Sequence, residues 1–347
     1  MAIYYVTTTG SDSNAGTSES ESFASWGKLG STLGDKDIGY IKSGTYNLST
    51  GTVGANGGPM QLPNILACRV VGYETVTGDN CPTNNRPTLN RNGISITNMV
   101  ILRGNYQNIQ IVENLKVDGT DGATNGFYAA SNNECQNCIN CEATQCGASY
   151  GSNFNGVACY HCISHDSLYR GFNGNYFHYC IAYDNGQGLG GGQGFNSGPS
   201  INHCISYRNA VGYGALSYPH YQNCIAYNND TWGFGCDYVA HATNCISVNN
   251  GTYGFTETDD GMLLINCASY NNSAGRTPSG NFIRDKNPIL LTSDPFINGA
   301  SGDFRLNLST PGGLACRHAG INTINQIGYL DVGAVQSKQS ERSFYSF

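Results

Sequence analysis

Apolar and polar residues alternate in short bursts along the chain, and no apolar stretch keeps helical spacing for longer than a cap. Between Asn140 and Asn272 the bursts settle into a phrase nearly repeated seven times, Asn/His/Tyr-Cys-Ile-Ser/Ala-Tyr-Asn-Asn. Its cysteines, Cys141, Cys162, Cys180, Cys204, Cys224, Cys245 and Cys267, are 21, 18, 24, 20, 21 and 22 residues apart. A period near 21 that absorbs small insertions marks a solenoid, in which each repeat stacks only on its neighbours. Between the cysteine phrases stands a Gly-aromatic element, at Gly171-Phe172, Gly194-Phe195, Gly212-Tyr213, Gly233-Phe234 and Gly254-Phe255. One coil therefore reads strand, Asn-Asn turn, Gly-aromatic strand, polar turn, and back to the cysteine strand. Two or three short strands in each coil of about 20 residues predict an all-β parallel β-helix. Asn228, Asn249 and Asn271 recur at one corner, where asparagine tolerates a left-handed bend and its amide can bond to the next coil.

The coils that break the phrase indicate which side chains face in. In Asn114-Leu115-Lys116-Val117-Asp118 the apolar residues hold the Cys and Ser/Ala places, and Lys116 takes the Ile place. In the next coil Glu142 takes the Ile place while Ala143 stays small. Strand side chains alternate faces, so the Cys and Ser/Ala positions point inward and the Ile and Tyr positions outward. This predicts an outer ladder of Ile163, Ile181, Ile205, Ile225 and Ile246 flanked by Tyr183, Tyr207, Tyr227 and Tyr270. The opposite parity would bury the isoleucines and leave the cysteines half exposed. A contiguous apolar patch marks an interaction site, so the outward reading requires another chain or the protein's own segment to cover it.

Composition narrows the classes. The chain has 347 residues, a length that elongated all-β units reach as one domain. Its 46 glycines suit many tight turns. Net charge is −7 with only 17 Lys plus Arg and no basic run, which argues against nucleic acid as a partner. No apolar run is long enough for membrane insertion. The start, Met1-Ala2-Ile3-Tyr4-Tyr5-Val6, enters strand-like sequence without the regions of a signal peptide. Either a signal has been replaced by Met or release occurs by another route, such as lysis. Most of the 15 cysteines fall on the repeat, which points to a largely reduced, packed stack with room for occasional cross-coil disulfides. Cys135, Cys138, Cys141 and Cys146, with Cys159 and Cys162 beyond, resemble a metal or iron–sulfur run only in part. The last spacing departs from the ferredoxin pattern, and two of these cysteines are rungs of the repeat.

The ends of the chain carry a family resemblance. Residues 3–17, Ile-Tyr-Tyr-Val-Thr-Thr-Thr-Gly-Ser-Asp-Ser-Asn-Ala-Gly-Thr, resemble the opening of the right-handed parallel β-helix, or pectate-lyase-like, superfamily. A capping helix would follow, here Phe23 to Leu33 with Trp26, and Asp37 to Tyr46 resembles the first coil. Asp294-Pro295-Phe296, Gly302-Asp303-Phe304-Arg305-Leu306 and Asp331-Val332-Gly333-Ala334 resemble the closing segment. The resemblance implies an N-terminal cap and first coil at 1–50, coils at 51–290, a closing segment at 291–336 and a polar-aromatic tail at 337–347. It fixes a fold and leaves the function open, because the superfamily includes polysaccharide lyases, epimerases, glycosidases and phage tailspikes. Its lyases use an Arg or Lys base, often with Ca²⁺ held by Asp and Glu on adjacent coils. Ca²⁺ is therefore implied only under a lyase reading, and the residues themselves call for no cofactor or metal.

Chemistry-bearing candidates are few. Lys116, Asp118 and Glu142, with His165 on a following coil, form the best acid–base cluster; the plainer reading is a solvated polar edge. Glu257, Asp259 and Asp260 form the densest acidic group, at an expected solvated turn. Arg170 and Arg208 could bind an acidic sugar or simply pack over tyrosines. Glycosylation sequons stand at Asn47, Asn229, Asn250, Asn271 and Asn307.

Two functions remain in view. The first is a surface-displayed structural or adhesion protein, on a virion or outside the cell, docking to other chains or to a copy of itself through the Ile/Tyr ladder and also binding glycans. Its tail, Ser337 to Phe347, ends in aromatics suited to anchoring. The second is a polysaccharide lyase or related enzyme acting on an acidic glycan through the Lys116 cluster.

Overall fold

The computed structural model describes residues 1–49, 59–64, 67–79, 81, 85–103, 109–130, 136–186, 192–196, 198–215, 218–257, 261–278, 282–309, 311–317, 319–321 and 331–336. The 337–347 tail, Cys135, Asp259 and Asp260 lie outside them. Three stacks of parallel strands form a β-helix with few helices, and the chain divides into two units, Met1–Asn175 and Tyr176–Phe347.

In the first unit, the first sheet runs from Ile3–Val6 through Asp37–Lys42 and Ala67–Tyr73 to Ala158–Tyr160. The second sheet includes Thr88–Asn90, Lys116–Ala123, Glu142–Cys146 and Ile163–His165. The third includes Asn98–Leu102, Asn125–Ala129, Ser152–Asn155 and Arg170–Asn173. The helix Trp26–Thr32 lies within the expected cap; the Ser25 hydroxyl accepts the Lys28 N–H at 3.1 Å, and Trp26 and Leu29 are buried.

The second unit repeats the scheme. Its first sheet runs from Tyr176–His178 to Ile283–Lys286, its second from Ile181–Tyr183 to Ile289–Leu290, and its third from Gln193–Asn196 to Phe255–Glu257. One residue in left-handed conformation turns the chain from the first sheet to the second in coil after coil. Asn140, His161, Tyr179, His203, Asn223, Asn244 and Asn266 all have φ between 50° and 56°. Each immediately precedes a cysteine of the phrase.

All seven phrase cysteines are fully buried, as are Ala143, Ser164, Ala182, Ser206, Ala226 and Ser247. The inward face is therefore the Cys and Ser/Ala face. The 14 described cysteines are free thiols. Buried S–H groups donate to carbonyls one coil back, Cys162 to Cys138 O at 3.3 Å and Cys267 to Ala242 O at 3.3 Å, so they hydrogen-bond as well as fill space. The Gly-aromatic strands put a ring stack inside each unit: Phe127, Phe154 and Phe172 at 5.1 and 4.8 Å, and Phe195, Tyr213, Phe234 and Phe255 at 4.9, 4.6 and 5.1 Å.

The Asn-Asn corner differs in detail from the expectation. Asn228, Asn249 and Asn271 take the left-handed bend, and Asn271 bonds to Asn249 at 2.9 Å. A more extensive ladder runs through the buried asparagines one residue later. The backbone N–H groups of Asn209, Asn229 and Asn250 donate to the side-chain oxygens of Asn229, Asn250 and Asn272 at 3.1, 3.1 and 3.0 Å. A buried amide that must satisfy two coils cannot also sit in solvent. The sequons at Asn229 and Asn250 are accordingly buried.

The outer ladder is covered by the chain's own closing segment. Ile205, Ile225, Tyr227 and Ile246 form a second hydrophobic core with Leu291, Phe296, Phe304, Leu306, Cys316, Val332 and Ala334, and Ile181, Tyr207 and Tyr270 pack at its margin. Phe304 lies 5.2 Å from Tyr207 and 5.6 Å from Tyr227, ring to ring. The segment is tied at the corner, where Gly333 N–H donates to Asn244 O at 2.8 Å and Asn244 Nδ2 to Ile321 O at 2.8 Å. Gly333 has φ 100°, and a Cβ there would come 2.8 Å from Ile246 Cδ1, so the close approach requires glycine. As a face for a separate partner the ladder is corrected: Ile205, Ile225, Tyr227 and Ile246 are buried within their own chain. Ile163, Ile181, Tyr183, Tyr207 and Tyr270 keep partial exposure, with Tyr183 stacked on Tyr207 at 5.2 Å.

Candidate functional site

The second sheet of the first unit has polar residues on the face where the later coils carry Ile and Tyr. Parallel register places Thr88, Lys116, Glu142 and Ile163 in one outward column. Asn90, Asp118, Thr144 and His165 form the next. Successive strands are about 4.8 Å apart, so Lys116 and Glu142 are adjacent rungs while Asp118 and His165 flank Thr144.

Glu142 is the hub. Its Oε1 accepts Lys116 Nζ at 2.5 Å and lies 3.2 Å from His165 Nε2, and its Oε2 accepts Arg86 Nη1 at 3.2 Å. The glutamate side chain is 8% exposed and that of Arg86 is fully buried, so the pair sits in low dielectric. Burial works to raise the Glu142 carboxyl, but hydrogen bonds from His165 and Lys116 outweigh it and hold the group at about 2. Burial works to lower His165, but its hydrogen bonds to Glu142 and Asp166 outweigh it, so the imidazole is held above its usual value. His165 Nδ1 lies 2.7 Å from Asp166 Oδ2 and 3.3 Å from Thr144 Oγ1. Asp118 accepts the Thr120 N–H at 2.9 Å and Asn90 Nδ2 at 3.2 Å.

The sequence-derived candidates Lys116, Glu142 and His165 thus converge, and Asp118 stands in the adjoining column without touching them directly. Arg86, Asn140 and Asp166 are additions. Arg86 also donates to Asn140, whose own amide donates to Asn114 at 2.6 Å. Arg86 occupies the place that Asn114 and Asn140 hold in the following coils, two residues before the rung, and its Nε has no partner among the described residues. Its signal in the sequence is a lone cation at an asparagine corner, legible only once the register is known.

The other candidates separate from this site. Glu257 is a buried strand residue accepting the N–H groups of Gly261 and Phe282, each at 3.2 Å, which corrects the solvated-turn expectation for it. Arg170 packs over Tyr169 at 4.5 Å. Arg208 packs over Tyr207 at 4.7 Å and pairs with Asp184 through two bonds, at 2.8 and 2.7 Å. Cys138, Cys141, Cys146, Cys159 and Cys162 are all buried, and burial pushes the thiols of Cys138, Cys141 and Cys159 well up.

The lyase resemblance implies a calcium ion held by carboxylates from adjacent coils. Among the described residues no three His, Cys, Asp or Glu side chains are grouped to hold a metal. Glu142 is already bound by Arg86, Lys116 and His165 and Asp118 by two donors, so this donor set does not fit such an ion.

No family model and no curated protein matches the chain. Among solved structures it is similar to pectate lyase Pel9A, with a TM-score of 0.60 and 15% identity over 97% of this chain and 96% of that one. A rhamnogalacturonan lyase aligns with a TM-score of 0.54 and 15% identity over 100% and 99% of the two chains. The A-module of the Azotobacter vinelandii mannuronan C-5 epimerase AlgE4 aligns with a TM-score of 0.52 and 14% identity over 78% and 76%. At such identity the likeness establishes the fold, and the chain is a parallel β-helix protein resembling these pectate lyase and epimerase structures.

Proposed function

We propose that the chain is a carbohydrate-active protein, acting outside the cell on an acidic polysaccharide as a lyase or an epimerase. The observation that carries this reading is the convergence of Lys116, His165 and buried Arg86 on Glu142, on a sheet face that other coils fill with isoleucine. Both reactions begin with loss of the proton next to a uronate carboxylate. In a lyase the freed electron pair forms the C4–C5 double bond as the C4–O bond breaks, and the leaving oxygen takes a proton. In an epimerase a proton returns to the opposite face of C5. Lys116 is the group to neutralise the uronate carboxylate, and His165, whose carboxylate neighbours favour its protonated form, is the proton donor. Asp118, across Thr144 from His165, is the carboxylate placed to receive a proton. Glu142 and Arg86 are positioning residues: one fixes Lys116 and His165, and the other holds the second carboxylate oxygen of Glu142 at 3.2 Å. The fold shared with two lyases and an epimerase supports the same class.

The test has two readouts on pectate, rhamnogalacturonan, alginate and chondroitin. Absorbance at 235 nm reports an unsaturated uronate, and deuterium uptake at C5 in heavy water reports epimerisation. Lys116→Ala and His165→Ala should each lower the rate by about 100-fold, within the range for a positioned acid–base group. Silence in both readouts on all four polymers would overturn the proposal. The alternative, a displayed docking protein, loses its chief support because the closing segment covers the ladder, and nothing in the structural similarities points to a virion.

A further inference from the structure

In the second unit the outward face of the first sheet carries a second constellation, unrelated to the Lys116 cluster. Register aligns Ser200, His220, His241, Leu263 and Arg284 in one column, and Asn202, Gln222, Thr243, Ile265 and Lys286 in the next. The residues between them, Ile201, Tyr221, Ala242 and Leu264, are buried, so both columns point out. A cavity of about 470 Å³ opens over the end of these columns, lined by residues that include His241, Leu263, Phe282, Arg284 and Lys286, with no carboxylate among the described residues of its wall.

Two features set this face apart from an ordinary sheet surface. Arg284 and Lys286 are exposed, two residues apart on one face, and neither forms an ion pair or side-chain hydrogen bond among the described residues. Among the described residues, Asp285 pairs with Arg276 at 2.6 Å and Glu257 is buried on backbone N–H groups. Beside the cations stands an exposed aromatic edge. Tyr218 and Tyr238 are stacked at 5.9 Å, His220 and His241 at 4.9 Å, and Phe282 is 77% exposed.

From this geometry we infer that the face binds an acidic oligosaccharide, lying along the coil axis. Arg284 and Lys286 take its carboxylates, and Phe282 and the Tyr238 edge lie against its sugar rings. Aromatic faces suit the apolar C–H side of a pyranose, and cations left unpaired among the described residues select for anionic ligands over neutral and cationic ones. The role inferred for the face is to hold polymer, feeding or retaining it. It does not depend on the role assigned to the Lys116 cluster.

Isothermal titration of the full chain with tetragalacturonate, tetramannuronate and chondroitin tetrasaccharide, each beside its methyl ester, tests the inference. At least one acid should bind, its ester should bind tenfold or more weakly, and Arg284→Ser/Lys286→Ser should lose tenfold or more of that affinity. Phe282→Ala should weaken binding of the acid without restoring the ester. Unaltered melting temperatures would show that the exposed variants fold. The inference is overturned if no acid binds at millimolar concentration, if acid and ester bind alike, or if the double variant binds as the parent does. It is equally overturned if sedimentation shows that the face is buried in a dimer broken by Phe282→Ala. A chain that cleaves polymer yet fails these titrations loses this site alone, whereas one that binds here and is silent at 235 nm and in deuterium uptake loses only the proposed reaction.

Discussion

Replacing Glu142 with Gln removes the one carboxylate that Arg86, Lys116 and His165 share, and its cost follows from the ionisation of that group. In the fold the carboxyl falls from 4.5 to about 2, because His165 and Lys116 favour its charged form more than burial opposes it. A depression of that size corresponds to about 3 kcal/mol at neutral pH. Breaking a buried pair on one side gives about 3–5 kcal/mol by a separate route, since Arg86 is left buried without its counter-charge. The sign is fixed by linkage. A depressed carboxyl gives stability that is present above its unfolded value near 4.5 and is lost as pH falls through about 2. His165 is shifted the other way. Its contribution is full below its unfolded value near 6.5 and fades as pH rises through its folded value. The Glu142–His165 contact enters both shifts and is counted once. Urea unfolding followed by far-ultraviolet circular dichroism from pH 2 to 9 should show Glu142→Gln weaker by about 3 kcal/mol at pH 7, with the gap closing toward pH 2. In the same variant the His165 titration, read by NMR, should move down. A constant gap across that range, or an unmoved His165, would refute the reasoning.

Phe304→Ala should cost about 3–5 kcal/mol and expose the closing segment first to proteolysis, because this ring fills the space between Tyr207, Tyr227 and Phe296. Equal protease resistance would argue that the segment is not held by that core. Phe154→Ala, in the middle of the first unit's ring stack, should cost a similar about 3–5 kcal/mol, seen as a lowered urea midpoint. Native thiol labelling at pH 8 should modify at most one of the 15 cysteines on the timescale that labels all of them in denaturant, since burial raises Cys68 and Cys236 to about 12. Several fast-labelling thiols would contradict the buried stack.

The coil was legible because burial alternates with strand pleat, and two irregular coils revealed the parity: Lys116 and Glu142 cannot occupy a closed core, so their position faces out. The closing segment's role was half legible. An exposed Ile/Tyr ladder demands a cover, but residues 291–336 carry no period that announces where they dock. At the site, Lys116 and Glu142 could be read as neighbours because they share a phase of the repeat. Arg86 could not, since the repeat is too weak before residue 114 to give its register, and its partner Glu142 is 56 residues away. Glu257 was misread because an acidic cluster beside glycine resembles a solvated turn, whereas its carboxylate satisfies two backbone donors that water would otherwise serve.

The left-handed corner between the first and second sheets has the same length in every coil from Ile139 to Ile289, with two residues between strands. The spacing between phrases nevertheless varies from 18 to 24 residues. All of that variation must therefore be absorbed on the other arcs, chiefly after the second sheet, where the connection shortens to three residues after Tyr207 and lengthens to nine after Tyr183. His165 and Asp166 stand at the start of such a connection. An insertion there would change what overhangs the charged cluster while the fixed corner keeps every rung in register. The fold thus separates the part that must count residues from the part free to vary, and the candidate site lies along that seam.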